Sequence, residues 1–460
     1  MDILLAHGYF LALDAAEQRV MRPHPPLGLL YLSSHLKSKG VDVAVFDATF
    51  RRLEDFVATL DRERPPVVGL AVNLMTKRNA LKMIAIAKRQ GARVIIGGPD
   101  PPHHAEAYLR AGADVVVVGE GEQTIEELLA ALRSSNPDLS VVNGIVFAGA
   151  DGAIVRTAPR ALLPDLDRQP YPDRDAIDLP AYLRAWRERH GVGTVSLITA
   201  RGCPYTCTWC SRSVFGETHR RRSVNNVADE VEGILDRYHP ERLWYADDVF
   251  AIHRTWTIAY ARELERRRIR MPFECISRAE RIDDDVAAAL ASLGCFRVWI
   301  GSESGSQRIL DAMKRKVQVE QVREAAARLR RHRIEVGMFI MLGYDGEQIE
   351  DLRATFDHLK VMSPDIFLTT VSYPIKGTPY YAHVADRLAP QAWEDGSDRD
   401  LVVRGRPVKT YYDFARRWMT AEVARDQHWR RGSYARAAKS ASSALVGRLG
   451  MAVTANWRER

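Results

Sequence analysis

The stretch Ala200-Arg-Gly-Cys-Pro-Tyr-Thr-Cys-Thr-Trp-Cys-Ser-Arg212 places Cys203, Cys207 and Cys210 in a C-x3-C-x2-C spacing. Three thiolates on one short loop are typical ligands of a four-iron, four-sulfur cluster. Because three ligands leave the fourth iron open, that iron is able to bind a substrate or a cofactor. The stretch therefore predicts a reaction site rather than a simple electron relay.

A strand–helix alternation surrounds this stretch and continues after it. Apolar runs of strand length lie at 195–199, 243–245, 273–277, 297–300, 336–341 and 367–372. Amphipathic segments follow the first five of them, at 225–238, 255–268, 283–293, 319–332 and 346–361. Six strands joined by right-handed crossovers predict a barrel or partial barrel, whose chemistry lies in the loops at the carboxyl ends of the strands.

Polar residues follow these strands at the predicted carboxyl ends. Asp247 and Asp248 come after the second strand, Arg278 after the third and Glu303 after the fourth. We expect them to converge on one mouth, although Asp247 and Asp248 also suit the N-terminal cap of the next helix. For Arg278 and Glu303 a salt bridge at the barrel end is the alternative.

The first 135 residues show a second alternation of strands and helices. Strand-like runs lie at 2–6, 41–47, 67–71, 93–97 and 115–118, and helical patterns at 27–39, 53–62, 77–90, 104–111 and 122–132. This alternation predicts a doubly wound parallel sheet, which binds ligands at the carboxyl ends of its strands. The loops there contain Asn73, Gly97-Gly98 and Gly119-Glu120-Gly121. A purely structural domain remains the alternative, and the loops lack the G-x-G-x-x-G of a nicotinamide site.

The remaining segments connect and follow these two regions. Residues 136–190 contain a predicted hairpin, 141–147 with 153–157, and a proline-rich run over 159–180 that indicates a linker. Residues 386–460 end in two helical patterns, 409–431 and a basic Ala/Ser-rich 433–453. These tail helices either pack across the barrel as a lid or touch a membrane surface or an anionic substrate.

Composition sets limits on the function. The chain has 460 residues, 46% hydrophobic and 27% charged, with a net charge of +7. That charge is small for such a length, so we expect no nucleic-acid partner. Five cysteines, three of them clustered, are not a disulfide framework. We see neither a signal peptide nor a membrane span, and we expect a reducing, cytoplasmic location.

The cysteine loop, with Trp209 just before its last cysteine, resembles the radical S-adenosylmethionine (SAM) superfamily. Four later stretches resemble that family's later strands: Trp244-Tyr-Ala-Asp-Asp-Val-Phe250, Ile300-Gly-Ser-Glu-Ser-Gly-Ser306, Gly337-Met-Phe-Ile-Met-Leu-Gly343 and Pro374-Ile-Lys-Gly-Thr-Pro-Tyr380. The N-terminal sheet followed by this barrel is similar to the cobalamin-binding group, of the anaerobic magnesium-protoporphyrin ester cyclase type. The resemblance covers residues 1 to about 385.

The resemblance implies an α/β protein with four parts. They are a doubly wound Rossmann-like cobalamin-binding domain (1–135), a hairpin and linker (136–190), a partial (β/α)6 radical SAM barrel (191–385) and a C-terminal helical region (386–460).

The resemblance also implies site residues. The cluster ligands would be Cys203, Cys207 and Cys210, and a zinc site completed by His219 is the alternative. SAM would contact Trp209, Asp248, Arg278, Glu303 and Met338. Cobalamin would contact Asn73, Gly97, Gly98, Gly119, Glu120 and Gly121, with His103 and His104 near its nucleotide tail. No catalytic acid or base is identified.

One feature departs from cobalamin methyltransferases with an Asp-x-His-x-x-Gly motif, whose His ligates cobalt. The matching stretch, Asp47-Ala-Thr-Phe-Arg-Arg52, has no His. Either cobalamin binds without a protein ligand to cobalt, or the domain has lost cobalamin.

The resemblance implies an enzyme that uses a 4Fe-4S cluster, SAM and cobalamin. The expected reaction is methyl transfer to an unactivated carbon, or phosphorus, of a small molecule via a 5′-deoxyadenosyl radical. An external flavodoxin- or ferredoxin-type protein would supply electrons. The alternatives are a radical cyclisation, rearrangement or hydroxylation, and a non-catalytic cluster-bearing redox or sensor protein. The substrate is not readable from the sequence.

Overall fold

The structure is a computed structural model that describes residues 1–134 and 137–459. The expected boundary between residues 135 and 136 therefore lies outside the described residues. The chain forms two compact units. The first comprises Met1–Pro204, Ser211–Asp247 and Ala392–Ser397, and the second comprises Tyr205–Cys210, Asp248–Gln391 and Asp398–Arg460.

A seven-stranded sheet organises the first unit, in the order β2-β1-β3-β4-β5-β6-β7. Its strands are β1 (Ile3–His7), β2 (Val43–Phe46), β3 (Val67–Ala71), β4 (Arg93–Gly97), β5 (Val115–Val117), β6 (Ile145–Ala148) and β7 (Ile154–Arg156). The first five run parallel, whereas β6 and β7 form the expected hairpin and add antiparallel strands at one edge.

Helices cover both faces of this sheet. They are α1 (Ala15–Val20), α2 (Leu27–Ser38), α3 (Leu53–Glu63), α4 (Lys77–Arg89), α5 (Ala105–Arg110) and α6 (Glu122–Leu132). Successive residues of β1 enter different cores, because Leu4 packs in one apolar cluster and Leu5 in the other. A parallel sheet buried on both faces is the doubly wound fold that the sequence predicts.

The proline-rich run ends in a helix that the sequence did not indicate. The helix α7 (Leu179–His190) begins at the Asp178 cap, whose side chain accepts from the Ala181 amide. Pro180 lies in its first turn, where a missing amide hydrogen costs nothing. The first unit also contains β8 (Thr194–Leu197), β9 (Ala200–Arg201), β10 (Arg220–Arg221), α8 (Val224–Tyr238) and β11 (Arg242–Tyr245).

The second unit carries the later strands of the barrel. They are β12 (Phe273–Ser277), β13 (Cys295–Glu303), β14 (Glu335–Leu342) and β15 (Ile366–Val371), each parallel to its neighbour. The helices before, between and after them are α9 (Arg254–Arg266), α10 (Asp284–Leu293), α11 (Gln307–Ala312), α12 (Val319–Arg331), α13 (Ile349–Met362) and α14 (Pro379–Val384). Together with β8 and β11, these strands confirm the partial (β/α)6 barrel.

Two long helices end the chain, α15 (Lys409–Arg430) and α16 (Tyr434–Thr454). They pack along each other, and the Trp418 ring of α15 stacks on Phe356 of α13 at a centroid distance of 4.5 Å. In the described part of the chain, no helix has the length and apolar character needed to cross a membrane.

Candidate functional site

The base of the cysteine loop is held by a short hairpin and a buried carboxylate. The strands β9 and β10 pair antiparallel and close the loop between them. The Asp247 carboxylate accepts the Thr199 amide at 2.6 Å and the Ala200 amide at 3.1 Å. The expectation that Asp247 caps a helix was therefore wrong, because these amides of the loop's entry strand use the carboxylate.

Two arginines lie against the sulfur of Cys207. Nη1 of Arg278 is 3.6 Å from Cys207 Sγ, and Nη1 of Arg315 is 3.8 Å from it. All three side chains are buried. Burial raises the pKa of the Cys207 thiol, and the Arg278 charge opposes that increase. Two guanidinium groups at one sulfur favour a thiolate, which is the form that binds a metal.

Glu303 lies at a distorted end of β13. The pairing register between β13 and β14 shifts between Gly301 and Glu303, and Glu303 has a φ of 60°. A left-handed backbone at a residue other than glycine is costly and is concentrated at functional sites. Glu303 is 8% exposed. Burial raises the pKa of its carboxyl to about 8, although the charge of Arg278 opposes that increase. Oε1 of Glu303 is 3.9 Å from Nε of Arg315.

The segment between the last two cysteines is fixed to the second unit. The Thr208 amide donates to the Met313 carbonyl, and its hydroxyl lies 2.7 Å from the Tyr344 hydroxyl. Trp209 packs on an apolar cluster that includes Tyr344 and Tyr380. The two remaining predicted SAM contacts differ in burial, since Asp248 is exposed and Met338 is fully buried within β14.

The first unit contains a cavity of about 560 Å³, which we call the glycine-rimmed cavity. Such a volume is within the range of small-molecule sites. All six predicted cobalamin contacts line it: Asn73, Gly97, Gly98, Gly119, Glu120 and Gly121. Gly98 has a φ of +109°, and a Cβ there would lie 2.5 Å from the Val72 carbonyl oxygen, so only glycine fits.

Glu120 is occupied by the protein itself. Its two carboxylate oxygens accept from Arg201 at 2.8 Å, from Arg220 at 2.8 Å and from the Leu163 amide at 2.8 Å. Arg201 also pairs with Glu122 at 2.6 Å. Because Arg201 is the second residue of β9, these ion pairs fix the start of the cysteine loop to the wall of the glycine-rimmed cavity.

His7, on β1, is a side-chain partner of Asp47. Its Nε2 is 2.9 Å from the Asp47 carboxylate, and its Nδ1 accepts the Tyr9 amide at 3.2 Å. Although His7 lines the glycine-rimmed cavity, both ring nitrogens are used within the protein. Among the described residues, His103 and His104 do not line the cavity; the His104 ring lies 5.9 Å from that of Trp393.

The described residues contain no group of three or more His, Cys, Asp or Glu side chains that would converge on a metal ion. Such convergence is required by a closed zinc site. In a four-iron cluster each thiolate binds a different iron, so the ligands need not meet at one point.

Two family models match the chain. The B12 binding domain matches residues 19–129, and the Radical SAM superfamily matches residues 197–359. The chain belongs to the cobalamin-binding group of the radical SAM superfamily. Most of the residues that line the glycine-rimmed cavity lie in the first matched region, and Cys207, Arg278 and Glu303 lie in the second.

This radical SAM enzyme has recognisable relatives. It is 28% identical to an "uncharacterized methyltransferase" of Pyrococcus horikoshii, over 83% of each chain. It is 26% identical to the anaerobic magnesium-protoporphyrin IX monomethyl ester cyclase of Rubrivivax gelatinosus, over 79% of this chain and 67% of that one. Its fold matches the radical SAM methyltransferase TsrM of Kitasatospora setae with a TM-score of 0.70 and 21% identity, over 84% of this chain and 74% of that one.

The two domains of this enzyme imply a 4Fe-4S cluster, SAM and cobalamin as cofactors. The residues present fit all three. Cys203, Cys207 and Cys210 supply thiol donors, and the arginines at Cys207 balance negative charge. The Ser277 hydroxyl, at the carboxyl end of β12, is buried without a partner in the described structure, which suits a polar ligand there. The glycines of the glycine-rimmed cavity leave space that a side chain would fill.

Sequence reasoning missed three residues of these sites. Arg315 follows α11 and carries no motif, and Arg201 precedes the first cysteine without a recognisable partner in sequence. Tyr344 lies in the loop after β14, outside any motif. Each of the three contacts a partner that is distant in sequence. The sequence therefore offered only the residue type as a signal, an arginine or tyrosine in a basic or polar run.

Proposed function

We propose that this enzyme is a cobalamin-dependent radical SAM methyltransferase that acts on an unactivated carbon, or phosphorus, of a small molecule. The observation that supports the proposal is that one chain contains two sites with side chains suited to these cofactors. One is the glycine-rimmed cavity, and the other is the cluster of Cys207, Arg278, Arg315 and Glu303. The relative described as a methyltransferase, aligned over 83% of the chain, supports methyl transfer.

The cofactors supply the difficult chemistry when bound: an electron that cleaves SAM, and a cobalt that carries a methyl group. The chain's residues bind and position them. We propose that Cys203, Cys207 and Cys210 hold the cluster, and that Arg278 and Arg315 stabilise negative charge at Cys207 Sγ. Both arginines are buried, so water screens this interaction weakly.

Glu303 is proposed to accept a hydrogen bond from a cationic or hydroxyl group of SAM. Its carboxyl pKa is about 8 because the side chain is buried. A cation brought within about 4–6 Å would favour the carboxylate again, so the ligand itself would create the charge it binds. Arg278 is less suited to bind the SAM carboxylate than the sequence suggests. Its guanidinium already donates to Glu280 and to the Arg315 carbonyl.

A second reaction class is favoured by one observation, the 26% identity to an ester cyclase over 79% of this chain. Product analysis separates the two. The protein, with cluster and cobalamin loaded anaerobically, is incubated with SAM and a strong one-electron reductant. Formation of both 5′-deoxyadenosine and S-adenosylhomocysteine supports methyl transfer. 5′-Deoxyadenosine alone supports cyclisation or rearrangement, and neither product from an intact cluster contradicts the enzyme and supports a non-catalytic sensor.

The electron donor and the location are parts of the same proposal. A cluster with an open iron and exposed cysteine residues such as Cys210 requires a reducing compartment, so we propose a cytoplasmic location. A flavodoxin- or ferredoxin-type protein would then deliver single electrons. Reduction of the cluster by such a protein, measured as bleaching of its visible absorbance, tests this part.

A further inference from the structure

The second unit contains a large cavity that none of these roles uses. It has a volume of about 1280 Å³ and is lined by the loop after β14, by α13 and by the two C-terminal helices. We call it the tail cavity; the lining residues that matter below are Tyr344, Glu347, Arg353, Lys360, Arg448 and Leu449. The loop after β14 is at the carboxyl end of the strand, the end at which barrels of this kind place their chemistry.

The tail cavity has an excess of positive charge. Seven arginine or lysine side chains line it, against four carboxyl side chains. Asp345 pairs with Arg387 at 2.8 Å, and Glu422 pairs with Arg425 at 2.5 Å. In the described part of the chain, Arg353, Lys360 and Arg448 have no carboxylate within salt-bridge distance, which leaves cations available to an anion.

Glu347 adds less negative charge than its residue type suggests. Its Oε2 accepts the Gly343 amide at 2.6 Å, while Oε1 is buried without a hydrogen-bond partner among the described residues. Burial raises the pKa of this carboxyl to about 8. At neutral pH most of the molecules therefore carry a protonated Glu347, and the cavity is more positive than its formal charge.

The other half of the lining is apolar and open. Leu445 and Leu449, on one stripe of α16, are 55% and 58% exposed. Val453 lies one turn further along α16 and is 68% exposed. Arg448 lies between the two leucines in sequence, so cation and hydrocarbon surface are presented side by side. An inorganic anion alone would leave this apolar surface in water.

Tyr344 connects the tail cavity to the cysteine loop. Tyr344 lines the cavity, and its hydroxyl lies 2.7 Å from the hydroxyl of Thr208. Thr208 stands between Cys207 and Trp209 in the loop, and its amide is fixed by the Met313 carbonyl. A ligand in the cavity is therefore one side chain away from the segment that carries two of the proposed cluster ligands.

We propose that the tail cavity binds an amphipathic anion, a hydrocarbon chain that ends in a phosphate or carboxylate, as the substrate of the enzyme. The anionic group pairs with Arg353 and Arg448, and the hydrocarbon lies along Leu445 and Leu449. The binding claim rests on the cavity alone, and only the word substrate rests on the function proposed above. The same chemistry has two sources, a free small molecule and a lipid headgroup.

Calorimetric titration of the full-length, cluster-loaded protein with decyl phosphate, below its micelle concentration, tests the binding claim. The measurement needs neither SAM nor reductant. We expect saturable binding, and at least about tenfold weaker binding of inorganic phosphate and of decanol, since each offers half of the contacts. Equal affinity for phosphate or for decanol alone would overturn the amphipathic ligand.

Matched variants locate the site. Arg353→Gln with Arg448→Gln should weaken decyl phosphate binding at least about tenfold. The control, Arg436→Gln with Lys439→Gln, removes two positive charges from exposed positions of α16 that do not line the cavity. Leu449→Asn, compared with Val446→Asn outside the cavity, tests the apolar half without touching a cation. If the paired arginine variant still binds decyl phosphate, or if the control variants lose affinity equally, the ligand binds elsewhere.

Two further measurements separate the sources and the two proposals. Co-sedimentation of the protein with phosphatidylcholine vesicles, with and without 30% phosphatidylglycerol, tests the lipid source. Binding to the vesicles that needs phosphatidylglycerol and is lost in the paired arginine variant supports a lipid headgroup. No vesicle binding by a protein that still binds decyl phosphate supports a free ligand. Loss of decyl phosphate binding in the paired variant, with the iron content and melting temperature of the wild type, confirms the site in a folded protein. Wild-type protein that cleaves SAM but does not bind decyl phosphate overturns this inference alone.

Discussion

Cys207 is the residue at which the proposed cluster site is most completely defined. Its sulfur faces Arg278 at 3.6 Å and Arg315 at 3.8 Å. We predict that Cys207→Ala loses most of its iron and sulfide after anaerobic reconstitution, because two thiolates do not retain a cluster that needs three. Iron and sulfide analysis, together with the visible absorbance, measures this, against about four irons per chain in the wild type.

Cys275→Ala is the matched control for that change. Cys275 is a buried cysteine of β12 in the same unit. Its loss should cost packing but no iron. Equal iron loss in both variants would mean that misfolding, and not ligation, explains the result at Cys207. A full iron content in Cys207→Ala would remove this residue from the ligand set.

Glu303 carries the second prediction at this scale. Glu303→Gln keeps the size of the side chain and removes its ability to become a carboxylate. We expect SAM binding about tenfold weaker, since a hydrogen bond to a charged partner is worth roughly 1.5–3 kcal/mol. Equilibrium dialysis with labelled SAM measures the affinity of the reconstituted protein.

Glu320→Gln, an exposed change on α12, controls for surface charge in that experiment. It should bind SAM as the wild type does. If Glu303→Gln also binds normally, the left-handed backbone at Glu303 serves the β13 bulge and not the ligand.

Individual contacts were the part of the site that the sequence could not supply. The run Met313-Lys-Arg-Lys316 is typical of a solvated basic turn, yet Arg315 is 7% exposed between two exposed lysines. Both flanking lysines have a φ of 51°, which turns the backbone so that only Arg315 points inward. Backbone geometry of that kind leaves no periodicity in the sequence. The three cysteines, by contrast, are informative because ligand spacing within one loop is local.

At the scale of elements, periodicity predicted the long helices and strands to within a few residues. It failed where an element is short or is stabilised by distant contacts. The helices α7 and α11 were not predicted; α7 has a proline in its first turn, and α11 has only six residues. The two-residue strands β9 and β10 have no pattern at all, because their pairing depends on how the cysteine loop closes.

The loop after β14 gives a prediction about pH. Glu347 has a pKa of about 8 in the folded protein because it is buried, against an ordinary value near 4.5. The folded state thus holds a proton that the unfolded state releases between these values. The stability that this group contributes is complete below pH 4.5 and is lost as the pH rises through 8.

We therefore expect Glu347→Gln, which cannot ionise, to gain in melting temperature relative to the wild type as the pH rises from 5 to 8, by about 2 °C or more. Thermal unfolding across that range measures the difference. Glu350→Gln changes an exposed neighbour on α13, and its melting temperature should depend on pH as that of the wild type does. A Glu347→Gln difference that does not change with pH would mean that the carboxyl is ionised throughout.

At the scale of the whole molecule, the sequence predicted two α/β regions and a cofactor for each. It did so because parallel sheets collect ligand loops at their carboxyl edges, a rule that depends on strand order and not on individual side chains. The six glycine-rich loop residues proposed from that rule all line one cavity of the first unit. The tail cavity was not foreseen, because it is built by helices whose mutual packing the sequence does not specify.

Filling the glycine-rimmed cavity is the corresponding test of the first unit. A Cβ at Gly97 would meet only Val117, at 3.5 Å, which is an ordinary contact, so this position accepts a side chain that Gly98 does not. We predict that Gly97→Phe binds hydroxocobalamin at least about tenfold more weakly than the wild type, as measured by corrinoid absorbance retained after desalting. Cobalamin should also raise the melting temperature of the wild type and not of the variant, because ligand binding to the folded state alone is stabilising.

The exposed Gly233→Phe on α8, where an added Cβ meets nothing within 4 Å, should retain cobalamin fully. Normal cobalamin retention by a folded Gly97→Phe would place the corrinoid outside this cavity.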